Sequence, residues 1–437
     1  MSSTTNPPES RFDRMGMPHS IRWGFLGVLV FMTGNGTASN FIAPHMQHAL
    51  SGSGADLVPT IIAMYSLAVL IASYLSGALA DLFGPRRVML WGFLIWAVFQ
   101  VAFLLALRTG STALVFATYF LRGFGFPLFA FAFLVWINAV VPRERNGTAV
   151  GWFYVMFTGG LPTLGSLFAA GSIPLFGGGA LGETLTMWAS IGLVTLGFLI
   201  VWFGVRDPSG SRRLAPPDES AGEVLSSGLR LTWREPRVLM GFLVRLINTA
   251  PEFGMFVIMP TVIAQNLGWG QSRWLLMTTC IYAGNILLNA VFGAIGDRWG
   301  WVRTVRWFGV VGSALGLLAW WYIPHLVPAG SDWGYVVSVI SGMVFGILLA
   351  GFVPLGAILP ALTPDHKGAA MAMYTTAAGG ATFLGTAVVA IVQPWAGNVG
   401  VVWAFVALYG ASFVMTWWLD IEHADQTQAA PAQSPAY

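Results

Sequence analysis

The sequence predicts an all-α membrane protein with twelve transmembrane helices in two six-helix, pseudo-symmetric halves. Three observations lead to this fold class. Hydrophobic residues make up 56% of the 437 residues and charged residues only 9%, whereas a soluble protein carries about 25% charged residues. The apolar residues fall into runs long enough to cross a bilayer, which takes about 20 residues. The third observation is an internal sequence repeat.

Twelve apolar runs alternate with short turns and charged loops. They cover residues 22–48, 57–80, 87–107, 111–139, 147–173, 185–205, 237–264, 271–296, 304–325, 333–362, 367–393 and 398–420. Of the 21 basic residues, seventeen fall in the amino-terminal segment and in the loops after even-numbered spans, whereas Arg108 and Arg273 fall on the opposite side. Because basic loops stay in the cytoplasm, we expect a multi-pass inner-membrane protein with both termini cytoplasmic.

Residues 206–236 form the longest hydrophilic stretch between spans. Its prolines and mixed charges indicate a cytoplasmic linker between an amino-terminal half, residues 1–205, and a carboxy-terminal half, residues 237–420. Residues 421–437 are rich in glutamine, alanine and proline, so we expect a disordered cytoplasmic tail.

The two halves repeat at an offset of 216 residues. Asp81 and Gly84, after span 2, align with Asp297 and Gly300 after span 8. The same offset sets residues 34–36 of span 1 against residues 250–252 of span 7, and both segments contain helix-breaking residues. Interrupted spans at matching positions of two repeats point to a binding site at the membrane midplane. We therefore expect spans 1 and 7 to be broken there.

Span 7 also contains Glu252, a carboxylate at mid-span, where an ionised group costs roughly 3 kcal/mol or more. Arg245, Asn248 and Glu252 are three and four residues apart, so a helix places them in one polar stripe. We predict that Glu252 is the proton-coupling residue, because the spans contain no second mid-span carboxylate or histidine. Two other roles stay open: Glu252 could balance Arg245 or Arg122, or accept a hydrogen bond from a solute hydroxyl.

Two loops carry a known pattern. The sequence GALADLFGPRR begins at Gly77 and GAIGDRWGWVR begins at Gly293. Both resemble the loop signature of the major facilitator superfamily, and the resemblance covers essentially the whole chain. It implies the major facilitator fold and a conformational latch at the cytoplasmic ends of the spans. The expected latch residues are Gly77, Asp81, Gly84, Arg86, Arg87, Arg143, Gly293, Asp297, Gly300 and Arg303.

A narrower resemblance concerns the first and fourth spans. The sequence WGFLGVLVFMTGNG from Trp23 and the sequence FLVWI from Phe133 are similar to the polyol permeases, the ribitol and arabinitol transporters. This resemblance implies proton-linked uptake of sugar alcohols, in a cavity lined by spans 1, 4, 7 and 10. Where those permeases usually carry an acidic residue, this chain has Asn35. The residues expected to bind the solute are Asn35, Asn40, Arg122, Trp136, Arg245, Asn248 and Glu252.

The sequence contains no phosphate-binding loop, metal-ligand cluster or nucleophile motif. We therefore expect neither an enzyme nor a bound cofactor, and the small net charge of +3 does not indicate nucleic-acid binding. The sequence predicts a secondary active transporter, monomeric in function, that takes up a polyol or sugar-like solute with protons. An organic-anion transporter, for a sugar acid or another carboxylate, is the alternative, because the spans contain two arginines. A drug or metabolite exporter is a further alternative.

Overall fold

The structure, a computed structural model, describes residue 12 and residues 17–51, 54–141, 143–214, 220–363 and 367–419. Helices joined by short turns make up these ranges. The spans of the amino-terminal half are Arg22–Gly36 with Ile42–Ala49, Val58–Phe83, Pro85–Thr109, Thr112–Arg122 with Gly125–Val140, Arg143–Thr158 with Gly159–Leu164 and Gly165–Leu175, and Gly179–Gly204. The spans of the carboxy-terminal half are Pro236–Pro260 with Thr261–Asn266, Gln271–Trp299, Trp301–Thr304 with Val305–Gly312 and Ser313–Leu326, Asp332–Leu349 with Ala350–Phe352 and Leu355–Leu362, and Lys367–Met415 with Thr416–Leu419.

Twelve spans result, as the sequence predicts. Nine helices in the described part of the chain are long and apolar enough to cross a membrane. Span 1, which is interrupted, and span 8, Gln271–Trp299, bring the number of spans to eleven. The longest helix, Lys367–Met415, holds spans 11 and 12, which meet at Gly397, a residue with a left-handed φ of +62°. The twelve-span, all-α fold class is confirmed.

The internal repeat appears as repeated backbone geometry. Gly84 and Gly300 have φ of +89° and +102°, a region that favours glycine because it has no Cβ. The N–H of Gly84 donates to the Ala80 carbonyl at 2.9 Å, and the N–H of Gly300 donates to the Gly296 carbonyl at 2.9 Å. Each glycine thus ends one span and begins the next in the same way.

Span 1 is interrupted at residues 37–41, between its two helices. The preceding glycine has a different role: a Cβ at Gly36 would lie 1.8 Å from the carbonyl oxygen of Leu161 in span 5. Gly36 therefore allows two helix backbones to approach closely, which is a common use of small residues in membranes.

Span 7 is a continuous α-helix through Pro251, so the prediction of a break at residues 250–252 is wrong. Proline removes only one backbone hydrogen bond, and neighbouring helices can support the rest of the helix. Such support is present: a Cβ at Gly385 of span 11 would lie 2.1 Å from the Ala250 carbonyl oxygen. The packing of span 11 against span 7 keeps the helix intact.

The predicted linker, residues 206–236, contains a helix, Ala221–Arg234. Its first turn is a capping box, in which the Glu223 N–H donates to the Ser220 hydroxyl and the Ser220 N–H donates to the Glu223 carboxylate at 2.9 Å. These hydrogen bonds from Ser220 hold the pKa of Glu223 below its ordinary value. The predicted tail, residues 421–437, lies outside the described residues.

Candidate functional site

A cavity of about 1950 Å³ lies between the two halves. Its wall includes Asn35 and Asn40 of span 1 and Arg245 and Glu252 of span 7. Toward the basic loops it extends to Asp81, at the end of span 2. The cavity therefore reaches from the middle of the molecule to the predicted cytoplasmic side.

Contacts between the halves close the opposite side. Gln271 Nε2, at the start of span 8, donates to Glu183 Oε1 of span 6 at 2.6 Å, and Glu183 Oε2 contacts Nδ1 of His45 in span 1. We call His45, Glu183 and Gln271 the outer network. Deeper in, Trp274 Nε1 of span 8 donates to the Asn40 carbonyl oxygen at 2.8 Å. The cavity is thus open toward the basic loops and closed on the opposite side.

The linker helix contacts both halves near the cavity. The Tyr74 hydroxyl of span 2 donates to the Leu225 carbonyl, and a Cβ at Gly228 would lie 3.2 Å from Sδ of Met373 in span 11. Gly228 also belongs to the cavity wall. The helix therefore lies beside the opening on the basic side.

Glu252 is partly buried and accepts a hydrogen bond from a neutral hydroxyl. The Tyr282 hydroxyl of span 8 donates to Glu252 Oε1 at 2.7 Å, a charge-assisted bond when the carboxylate is ionised. The sequence reasoning missed Tyr282, since nothing in the spacing of 30 residues shows that the two side chains meet. Asn285 and Asn289, one helical turn apart on span 8, complete this polar part of the wall.

Arg245 is a buried cation with unused hydrogen-bonding capacity. The residue is 5% exposed, and its guanidinium carbon lies 3.9 Å from the Phe352 ring centroid and 5.2 Å from that of Tyr374. Its Nη1 donates to the Thr249 hydroxyl, whereas its Nε has no hydrogen-bond partner within the described ranges. Among the described residues, no carboxylate forms an ion pair with it.

The two asparagines of span 1 offer complementary groups. Asn35 Oδ1 accepts a hydrogen bond from Trp96 Nε1 at 2.7 Å, so the carbonyl is engaged and the NH₂ group has capacity for a ligand. Asn40 Nδ2 donates to the Ser166 hydroxyl, and its Oδ1 has no partner in the part of the chain that the structure describes. A donor and an acceptor are therefore available for solute hydroxyls.

Arg122 lies behind the cavity wall. Its guanidinium carbon is 5.6 Å and 5.5 Å from the ring centroids of Tyr65 and Tyr119, which form part of the wall, and 5.1 Å from that of Trp96. Cation–π contacts with three rings stabilise this buried charge. In this conformation the aromatic rings separate Arg122 from the cavity.

Asn248 and Trp136 also lie away from the cavity wall. Asn248 Nδ2 donates to the Gly309 carbonyl of span 9, and the Tyr409 hydroxyl of span 12 donates to the Asn248 carbonyl at 2.8 Å. Asn248 stands about 60° around the helix from Arg245, enough to turn it toward span 9. Trp136 Nε1 donates to the hydroxyl of Ser209 in the linker at 3.1 Å.

The first latch loop packs against the linker. A Cβ at Gly84 would lie 2.8 Å from the Gly210 carbonyl oxygen, and the Leu214 N–H donates to the Asp81 carbonyl at 2.8 Å. A Cβ at Gly77 would meet no atom within 4 Å, so close packing does not require that glycine. These contacts bring the loop and the linker together on the basic side.

Arg86, one of the predicted latch arginines, contacts span 6. Arg86 Nη2 donates to the Trp202 carbonyl at 2.6 Å, and the guanidinium carbon lies 4.6 Å from that indole ring centroid. Arg87 and Arg303 are exposed. The side chains of Arg143 and Asp297, and the surroundings of Gly293, lie outside what the structure describes.

Two six-helix repeats around a cavity that is closed at one end and carries polar groups in its middle define a secondary transporter of small solutes. The sequence agrees: the model of the Major Facilitator Superfamily matches residues 24–270 and 241–436. The chain belongs to this family, whose members are transporters rather than enzymes. The predicted family, multi-pass membrane character and small-molecule substrate are thereby confirmed.

Several relatives match almost the full length of the chain. The putative transporter YoaB of Bacillus subtilis (strain 168) is 36% identical, covering 92% of this chain and 94% of its own. The alpha-ketoglutarate permease of the same organism is 34% identical, covering 96% and 93%. The D-arabinitol transporter of Klebsiella pneumoniae is 33% identical, covering 93% and 94%. Among solved structures, the D-xylose-proton symporter shares the fold, with a TM-score of 0.69 at 14% identity, covering 92% of this chain and 97% of that one.

Proposed function

We propose that this protein takes up a small polyhydroxylated solute, related to the polyols and sugars, together with protons. The observation that carries the proposal is Glu252 on the cavity wall, hydrogen-bonded to the Tyr282 hydroxyl. Because its partner is a neutral group, Glu252 can gain or lose a proton without breaking an ion pair. A carboxylate inside a membrane span is expensive, and such residues commonly serve proton relays.

The amides on the opposite wall support a hydroxylated solute. Asn35 has a free donor group and Asn40 a free acceptor among the described residues, and a hydroxyl can satisfy both kinds of group. Two of the relatives, the D-arabinitol transporter and a ribitol transporter of Klebsiella pneumoniae, favour a hydroxylated solute. Asn35, Asn40, Arg245 and Glu252 are the proposed solute-binding residues, and Arg122, Asn248 and Trp136 position the spans that carry them.

Alternating access follows from the closed and open ends of the cavity. In the proposed cycle the outer network opens to admit the solute, and the loops at Gly77–Arg87 and Gly293–Arg303, with Arg143, hold the other side shut at that stage. We further propose that the protein functions as a monomer in an inner membrane, with residues 1–205 and 237–420 as its halves. The linker, residues 206–236, and both termini then face the cytoplasm, where the basic residues concentrate.

The decisive variant is Glu252→Gln, which keeps the shape of the side chain and cannot release a proton. In proteoliposomes supplied from outside with a responsive solute, we expect this variant to lose accumulation driven by an inward proton gradient. Exchange of labelled for unlabelled solute should persist, because it needs no net proton movement. Before the variant is tested, a screen of polyols, aldoses and sugar acids on the unmodified protein, with and without the gradient, identifies a responsive solute.

Glu235→Gln is the matched control, since Glu235 is exposed just before span 7 and should leave accumulation unchanged. Full gradient-driven accumulation by Glu252→Gln would overturn the proposed coupling role.

A further inference from the structure

The charges on the cavity wall are unevenly distributed. Apart from tyrosines, the ionisable residues of the described wall are Asp81, Arg245 and Glu252. Asp81 lies at the cytoplasmic end of span 2, next to the linker. Both ionisable groups in the middle of the cavity, Arg245 and Glu252, belong to the carboxy-terminal half and to one helix, seven residues or about 10 Å apart.

Arg245 differs from the other buried arginine, Arg122, because it lies on the cavity wall, where a solute can reach it. It is 95% buried, and its Nε is unpartnered within the described ranges. Glu252 does not pair with it in this conformation, because Tyr282 occupies Glu252 Oε1 and no ion pair with Arg245 forms among the described residues. Ring contacts offset part of the desolvation of the guanidinium, and an anion with its hydrogen bonds would offset more.

The surroundings of Arg245 fit an anionic ligand group. Phe352 and Tyr374 pack against the guanidinium and hold its plane. Tyr154 of span 5 lines the same cavity as Arg245 and Tyr374, and its hydroxyl too has no hydrogen-bond partner among the described residues. A planar carboxylate can accept two parallel hydrogen bonds from an arginine and one more from the tyrosine hydroxyl.

We propose that the solute is a polyhydroxylated monocarboxylate, an aldonate, with its carboxylate on Arg245 and Tyr154 and its hydroxyl chain toward Asn35, Asn40 and Glu252. The inference rests on the proposed transport function and names the substrate class of the same site. When Glu252 carries a proton, the centre of the cavity has one uncompensated positive charge. A monocarboxylate neutralises this charge, whereas a neutral polyol leaves it uncompensated, so one proton and one anion cross together without net charge movement.

The test measures equilibrium binding to the purified protein in detergent, without any gradient. Two pairs of probes differ only in one terminal group: D-ribonate against ribitol, and D-gluconate against D-sorbitol. We expect at least one aldonate to bind saturably and at least tenfold more tightly than its alditol. Equal or tighter binding of the alditols, or an absence of saturable binding by both aldonates, would contradict the assignment.

Substitution of the arginine then locates the carboxylate. Arg245→Gln should weaken aldonate binding at least tenfold and alditol binding by a clearly smaller factor. The effect of Arg245→Lys on aldonate binding should fall between, because lysine keeps the charge and loses the fork. The matched control is Arg306→Gln: Arg306 packs on the Trp417 ring at 4.3 Å, outside the cavity wall. Aldonate binding within twofold of the unmodified protein in a monodisperse Arg245→Gln sample would overturn the assignment.

The two proposals fail in different ways. If aldonate binding requires Arg245 but uptake does not respond to a proton gradient, the proposed proton coupling is wrong and the proposed substrate class stands. If a proton gradient drives ribitol uptake and aldonates do not bind, the proposed substrate class is wrong and the proposed coupling stands.

Discussion

The polar residues of span 7 have separate roles because they face different neighbours. Arg245 and Glu252 reach the cavity, where their remaining hydrogen-bonding capacity is available to a solute. Asn248, between them in sequence, is fully buried and bonds to span 9. A single polar stripe thus contains two residues for ligands and one for helix packing.

Asn248→Ala should therefore destabilise the protein and leave solute affinity within twofold. The substitution removes the donor to the Gly309 carbonyl, and a buried acceptor left without a partner costs about 1–3 kcal/mol. Thermal unfolding in detergent measures the loss, and equilibrium binding measures the affinity.

Asn289→Ala is the comparison for this prediction. Asn289 lies on the cavity wall with its Oδ1 unpartnered within the described ranges, so its removal should scarcely change the unfolding temperature. If Asn289→Ala destabilised the protein as much as Asn248→Ala does, the division of roles would be wrong.

The sequence predicts the chemical types of the site residues better than their orientation. Asn35, Asn40, Arg245 and Glu252 lie on the cavity wall, because helical spacing brings polar residues of spans 1 and 7 to similar depths. Spacing along one helix does not reveal which neighbouring helix faces each side chain. Contacts such as Glu252 with Tyr282 depend on packing between spans, and therefore require the structure.

At the scale of the helices, glycine has two distinct uses in the spans. Gly36 lies where the backbones of spans 1 and 5 meet, with the Leu161 carbonyl oxygen 1.8 Å from the position of a Cβ. Gly77 lies on the cavity side of span 2, where a Cβ would meet no atom within 4 Å. Both residues are glycines within a span, but only Gly36 lies where an added Cβ would meet another helix.

Gly36→Ala should lower the free energy of unfolding by about 1–3 kcal/mol, because the added methyl group forces two helix backbones apart. Gly77→Ala should be neutral or stabilising by up to about 1 kcal/mol, since alanine favours a helix more than glycine does. Denaturation midpoints of both variants in the same detergent check this, and equal losses in the two would contradict the packing argument.

The boundaries of the spans were largely predictable, because hydropathy and bilayer thickness determine where helices begin and end. The exceptions have local causes. Span 7 continues through Pro251 since span 11 packs tightly beside it. The helix Ala221–Arg234 forms in the hydrophilic linker because Ser220 and Glu223 cap its first turn.

At the scale of the whole molecule, the two halves meet on the side away from the basic loops through apolar packing and a set of polar contacts. Gln271 of the second half bonds to Glu183, which also contacts His45 of the first half. Such contacts between repeats must break for the cavity to open outward.

Gln271→Ala should therefore raise the population of the outward-open conformation. We suggest Val257→Cys as the reporter, since Val257 is buried on the cavity wall, in a Cys280→Ser background that removes the native thiol. Labelling by a membrane-impermeant maleimide added outside should become several-fold faster when Gln271 is replaced.

Arg273→Ala provides the control for labelling. Arg273 pairs with Asp332 on the same side of the molecule, but both residues belong to the second half, so its loss should not affect the contact between halves. Unchanged labelling in Gln271→Ala, or equal acceleration in Arg273→Ala, would show that the outer network does not hold the cavity closed.

The interruption of span 1 at residues 37–41 has no counterpart in span 7. Span 1 therefore has a point at which it can bend, whereas Arg245 and Glu252 lie on one continuous α-helix. Because both residues move with the same helix, we expect the distance between them to change little while the surrounding helices move. A solute that contacts both residues must then match this distance, so we expect the protein to select solutes by chain length as well as by charge.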